Sequence, residues 1–218
     1  MEEYYILRRS KEITLRTSPE PVRSALRTAT NDVHCRIHRS IRLQPLFDQT
    51  LGREDYRALL CCYFGFFDPL DGQLAALHRA TPQFQEHAPF RPRTYLLRDD
   101  LSVLGLSDVE IDRLPKYRFP VDTPGRYAGA LYLVEGSALG GRILFDRLKY
   151  LFDENESRGR RYFMGHGQRS ALVWQDSCAL IETIGETAPL VEIVDTACAL
   201  FEAFERWLAA DFYSERGG

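Results

Sequence analysis

Apolar side chains recur along this chain at helical rather than strand spacing. Leu26, Thr30, Val33, Ile37 and Ile41 follow one another at steps of 4, 3, 4 and 4, which places them on one face of a helix. Ser18 followed by Pro19 suits the N-cap and first residue of that helix. Gly52 precedes a second helix, predicted from Arg53 to about Ala80, with a bend where Pro69 removes a backbone donor. A third covers about Pro92–Leu104, and Ser107 with Glu110 makes the capping-box pattern of a short one. Residues 114–124 hold three prolines and read as a loop. Thr123-Pro124 then starts a long helix to about Phe152, followed by a polar, glycine-containing segment, Asp153–Gly167, predicted as a surface loop. Two more helices, about 168–184 and 188–212, are separated at Gly185 and Pro189. Period-2 alternation shows only in Tyr4–Leu7 and Ile13–Leu15. The pattern therefore predicts an N-terminal extension over 1–17 and a single all-α domain over 18–213.

Composition narrows the classes of function. At 218 residues the chain fits one domain that buries roughly 70 % of its unfolded surface. A formal net charge of −3 gives no global basic field, so neither nucleic acid nor a membrane surface is an expected partner. No stretch approaches the roughly 18 apolar residues of a membrane span, and the opening MEEYYILRRSKEITLR lacks the apolar run of a secretory signal. Five cysteines without a CxxC pair argue against a disulfide framework or zinc knuckle and for a reducing cytoplasm.

The most informative segment runs from Tyr127 to Phe145. It lies in a strong helical pattern yet contains Gly129, Gly136, Gly140 and Gly141. An interior glycine costs about 0.8–1 kcal/mol relative to alanine, so the four together cost about 3–4 kcal/mol, a large share of a domain's stability. Gly136, Ser137, Gly140, Gly141 and Leu144 cluster on one side by helical spacing. Such a surface lets the backbone approach a flat object closely, and equally lets two helices pack tightly. The spacing leaves both readings open.

His34 and His38 lie one turn apart on the first helix, His34 at the edge of the apolar stripe. A neutral imidazole there can bind iron, or serve as a half-buried histidine with a backbone or carboxylate partner. The i, i+4 pair also raises a non-heme metal site completed by carboxylates such as Glu135. His78, His87 and His166 have no partners at ligand spacing and are expected at the surface.

Two of these segments together resemble the heme oxygenase family. Leu26-Arg-Thr-Ala-Thr-Asn-Asp-Val-His34 is similar to its proximal motif, and Leu133-Val-Glu-Gly-Ser-Ala-Leu-Gly-Gly141 to its distal-helix motif, nearest to bacterial members including those that serve bacteriophytochromes. Arg161-Tyr-Phe-Met-Gly-His-Gly, Trp174, Ala197 through Phe201 and Trp207-Leu208 extend the likeness over about residues 20–212. The resemblance implies a helical bundle with heme between the first helix and a glycine-kinked distal helix. His34 would be the axial ligand. Gly136, Gly140 and Gly141 would line the distal side, so that backbone meets the reacting face of the heme. Arg27, assisted by Asn31, would lie near the propionates, and Phe201 would pack on the heme edge. Where many members carry an Asp after the first distal glycine, this chain has Ser137, which can hydrogen-bond but cannot carry charge.

The activity implied by the resemblance is opening of the porphyrin with dioxygen to biliverdin, carbon monoxide and ferrous iron, heme being both substrate and cofactor. A ferredoxin- or flavoprotein-type reductase would supply electrons, since nothing here looks like a flavin- or nicotinamide-binding segment. A bacteriophytochrome is a candidate acceptor of the product. The rival readings are a non-catalytic heme carrier or sensor, and a non-heme metal oxidase or thiaminase-like hydrolase on the same fold. An oxidase of that kind should show an ExxH pair, and none occurs here: Glu135 is followed at i+3 by Ala138 and Glu192 by Asp195.

Overall fold

A computed structural model describes residues 21–152 and 157–210. The Ser18–Pro19 helix start and the two alternating segments near the N-terminus lie outside the described residues. Among those described there is no strand, and eight α-helices follow one another. They are α1 (Val22–His38), α2 (Gln44–Phe47), α3 (Arg53–Ala80), α4 (Thr94–Val103), α5 (Asp108–Asp112), α6 (Pro124–Arg147), α7 (Ser170–Gly185) and α8 (Leu190–Ala209). No helix among them is long and apolar enough to cross a membrane.

The first helix buries Leu26, Thr30, Val33 and Ile37 on one face, but ends at His38. Ile41 therefore leaves the stripe and is 81 % exposed, contrary to the helical spacing read from the sequence. Pro21 at the N-cap offers no side-chain acceptor. Glu182 of α7 takes that role, accepting from the Val22 and Arg23 backbone N–H groups at 2.9 Å each. Its carboxylate meets orphan donors at the positive end of the helix. At the other end Arg36 forms a two-pronged pair with Glu205 of α8, at 2.7 and 2.8 Å. Both ends of α1 are thus tied to its neighbours.

Helix α3 carries the aromatic part of the core: Tyr56, Phe64, Phe66 and Phe67 are fully buried. Phe204 of α8 meets Tyr63, Phe66 and Phe67 with ring centroids 5.2, 4.9 and 5.1 Å apart. The helix continues through Pro69. Proline lacks the N–H that would bond the carbonyl four residues earlier. That carbonyl, on Gly65, accepts instead from the Tyr117 N–H at 2.9 Å. A Cβ on residue 65 would collide with the Pro115 carbonyl, so glycine is what lets the proline-containing connection dock here.

The capping box of α5 forms as the sequence predicts. The segment after α6 does not. Arg160, Tyr162 and Phe163 are buried at 2–3 % exposure, so the later part of the expected surface loop is a short 3-10 wedge, Arg161–Met164, beneath α6. Asp100 of α4 holds it down, accepting from the Gly159 N–H at 2.9 Å and the Tyr162 N–H at 2.8 Å. The short helix α2 had no counterpart in the sequence reading, four residues being too few for a period.

Candidate functional site

The four glycines of α6 separate into two pairs. A Cβ at Gly129 would stand 2.6 Å from the Ile193 carbonyl of α8, and one at Gly141 would stand 2.9 Å from the Phe163 carbonyl of the wedge. These two serve close packing. At Gly136 an added Cβ would meet only the Trp174 ring, at 3.7 Å, and at Gly140 nothing within 4 Å. Those two open onto space. The helix is uninterrupted across all four.

Around Gly136 and Gly140 the face is apolar and uncovered. Leu139 and Ile143, on the same side by helical spacing, are 38 % and 46 % exposed. Tyr132, one turn before Gly136, packs on Trp174 of α7 at 5.6 Å and on Phe201 of α8 at 6.3 Å. Burial raises its hydroxyl pKa, while a hydrogen bond with Thr30 and the charges of Arg27 and Arg23 pull it down. Thr30 and Tyr132 thus join α1 to α6. His34 lies one turn beyond Thr30, as Gly136 lies one turn beyond Tyr132.

Phe201, 6 % exposed, completes the floor: its ring is 6.2 Å from His34 and edge-on to it. The His34 ring keeps an exposed side, but its crowded side disfavours charge, so desolvation lowers its pKa from the ordinary 6.5. The neutral ring, whose lone pair a metal takes, is the form this burial favours. His38 is lowered for the same reason and by repulsion from His34. Its Nε2 lies 3.3 Å from that of His34. Arg27 and Asn31 are exposed on α1, and Asn31 Nδ2 donates to Asp32 at 3.3 Å.

A buried polar cluster lies under the glycine stretch. Ser137 Oγ donates to the Val134 carbonyl at 2.7 Å, and Arg93 Nη2 donates to the same oxygen at 3.1 Å. The Arg93 guanidinium stands 4.9 Å over the Tyr162 ring. Burial pushes the Tyr162 hydroxyl up to about 12, opposed by Arg93 and by a hydrogen bond with Ser137. Asp71 accepts from the Arg93 and Thr94 backbone N–H groups at 2.7 and 2.9 Å. Arg93 is 4 % exposed and its Nε has no partner.

Thus His34 and Phe201 come together on one side, while Gly136, Ser137 and Gly140 share the facing helix, with Gly141 turned to the wedge. Sequence reasoning gave no role to Tyr132, Trp174, Arg93 or Tyr162. Tyr132 was within reach of it, since 132, 136 and 140 repeat at i, i+4, i+8; Arg93 and Tyr162 carry no local pattern. Two surface expectations are corrected. His78 is 4 % exposed and its Nδ1 lies 2.9 Å from the Tyr127 hydroxyl. His166 is paired with Glu135, Nε2 to Oε2 2.8 Å, and Glu135 is 2 % exposed. Spacing missed both because the partners are 49 and 31 residues away. With Glu135 so engaged, it does not complete a metal site with His34 and His38. Among the described residues no group of three or more His, Cys, Asp or Glu side chains is arranged to hold a metal ion. The cleft beside Tyr127, Leu131 and Glu135 is on another face of α6 and shares no residue with the open face around Gly136 and Gly140.

Among solved structures, the chain is similar to the heme oxygenase from Neisseria meningitidis, determined with NO and CO bound. The TM-score is 0.67 at 23 % identity, covering 91 % of this chain and 98 % of that one. No protein-family model and no curated protein matches the chain. The likeness defines the class: this chain has the all-α heme oxygenase fold.

Proposed function

We propose that the chain is a heme oxygenase that binds heme in the crevice between α1 and α6. The observation that carries this reading is the cleared apolar face of α6, open at Gly136 and Gly140 and walled by Leu139 and Ile143, with an imidazole next to Phe201 on the other side. A large flat apolar ligand that takes a nitrogen base fits these residues. The likeness in fold to a heme oxygenase points the same way.

Heme, when bound, would supply the iron and the ring that is opened, with dioxygen and an external electron donor completing the reaction. The chain's own groups do the rest. His34 would hold the iron through a ring nitrogen, with Phe201 packed beside that ring. Arg27, on the solvent side of α1, pairs with propionates. Gly136 and Gly140 let backbone approach the ring, while Gly141 seats the wedge that carries Tyr162. Where many family members carry a carboxylate, Ser137, whose own hydrogen goes to the Val134 carbonyl, can accept a hydrogen bond from water at its hydroxyl oxygen, with Arg93 and Tyr162 holding this turn of α6 from below.

The test is a hemin titration of the purified protein followed by reductant in air, with His34→Ala alongside. A stoichiometric histidine-ligated spectrum that decays into a biliverdin band, with both features weakened in the variant, is expected. Binding without decay despite a competent donor would mark a carrier or sensor. Absence of specific binding would sink the reading.

A further inference from the structure

We infer that His34 and His38 also form a two-pronged clip for a divalent first-row metal ion, one that competes with heme for His34. Their Nε2 atoms face each other at 3.3 Å. Two nitrogens each about 2.0–2.1 Å from a tetrahedral metal are separated by about 3.3–3.4 Å. An ion can therefore enter between the rings with small ring movements and no rearrangement of the backbone. The i, i+4 spacing on one helix is the arrangement that presents two imidazoles to a single ion.

The surroundings hold the pair in place. The two rings lie 4.5 Å apart at 64°, His34 against Phe201 at 6.2 Å and His38 against Phe47 at 5.5 Å. Each ring is backed by an aromatic side chain and open on its other side, so solvent can fill the remaining coordination positions. Imidazole pairs suit zinc, nickel and copper, and hard cations such as magnesium poorly. Among the described residues no third protein ligand closes the site, so the ion exchanges freely and binding is modest.

Clip and heme exclude one another because both use His34, and that exclusion rests on the heme reading; the clip does not. The decisive measurement is zinc binding to the full-length, heme-free chain by calorimetry at neutral pH, with wild type, His38→Ala and His34→Ala. One zinc per chain is expected, weakened on the order of tenfold or more in either variant through loss of chelation. His38 is exposed, so its replacement leaves the fold intact, which a thermal melt verifies. Equal zinc affinity in wild type and His38→Ala overturns the clip. A second arm titrates hemin with and without saturating zinc. Zinc should lower apparent hemin affinity in wild type but not in His38→Ala; no effect in wild type overturns the competition. If hemin fails to bind at all, the heme reading falls and the zinc isotherms still decide the clip.

Discussion

A single added methyl group should have opposite effects at two glycines of the same helix. At Gly140 it would enter empty space, so Gly140→Ala gains about 0.8–1 kcal/mol from helix propensity while intruding on the proposed ligand face. At Gly129 it would press on the Ile193 carbonyl and the Thr196 side chain, and the overpacking costs about 1–3 kcal/mol. Urea unfolding paired with hemin titration checks both. Gly140→Ala should be the more stable protein and the weaker binder. Hemin affinity equal to wild type would remove Gly140 from the site. The sequence marked these glycines as unusual, but not which served packing. That distinction depends on α8 and the wedge, some 60 and 20 residues farther along the chain.

At the scale of elements, the wedge after α6 depends on one carboxylate. Burial raises the Asp100 carboxyl from an ordinary 3.8 to about 6, even though backbone N–H groups of the wedge donate to it. Folding therefore favours its protonated form. The associated stability is fully present below about pH 4 and is lost as pH rises through about 6, about 3 kcal/mol in all at about 1.4 kcal/mol per pH unit. Comparing chemical unfolding of wild type and Asp100→Asn across that window should show this falling component in wild type alone. Identical pH slopes would contradict the assignment. Elements with local signals were legible in advance: the capping box at Ser107 and Glu110, the start of α6 at Thr123-Pro124, the proline inside α3. The wedge was not, because Asp100 lies 59 and 62 residues from the groups it holds, and a polar segment held by a buried carboxylate looks like a loop.

At the scale of the molecule, the proposed ligand would touch α1, α6 and α8, helices drawn from the two ends and the middle of the chain. A ligand bound only by the folded arrangement stabilises all of it: about 2.7 kcal/mol at a free concentration 100-fold above Kd. For a domain of this size that corresponds to a rise in Tm of about 5–10 °C. Hemin should produce this shift in wild type and little of it in His34→Ala at the same concentration, read by differential scanning calorimetry. An equal shift in both would place hemin elsewhere. The all-α architecture was readable from helical periodicity, and its agreement with the solved heme oxygenase extends over nearly the whole chain. The open face of α6 was not readable in the same way, since no local pattern reveals which faces the bundle leaves uncovered.

Helix α6 behaves, in mechanical terms, as a beam resting on two piers. Gly129 seats one end against α8 and Gly141 seats the other on the wedge, with the open stretch between and beside them. A beam held at both supports deflects far less than one held at a single end. The position of its open face is therefore set by the protein before anything enters. In the proposed heme site such a support would sort ligands by thickness ahead of outline, admitting a planar macrocycle whatever its peripheral substituents and turning away a puckered one of the same diameter.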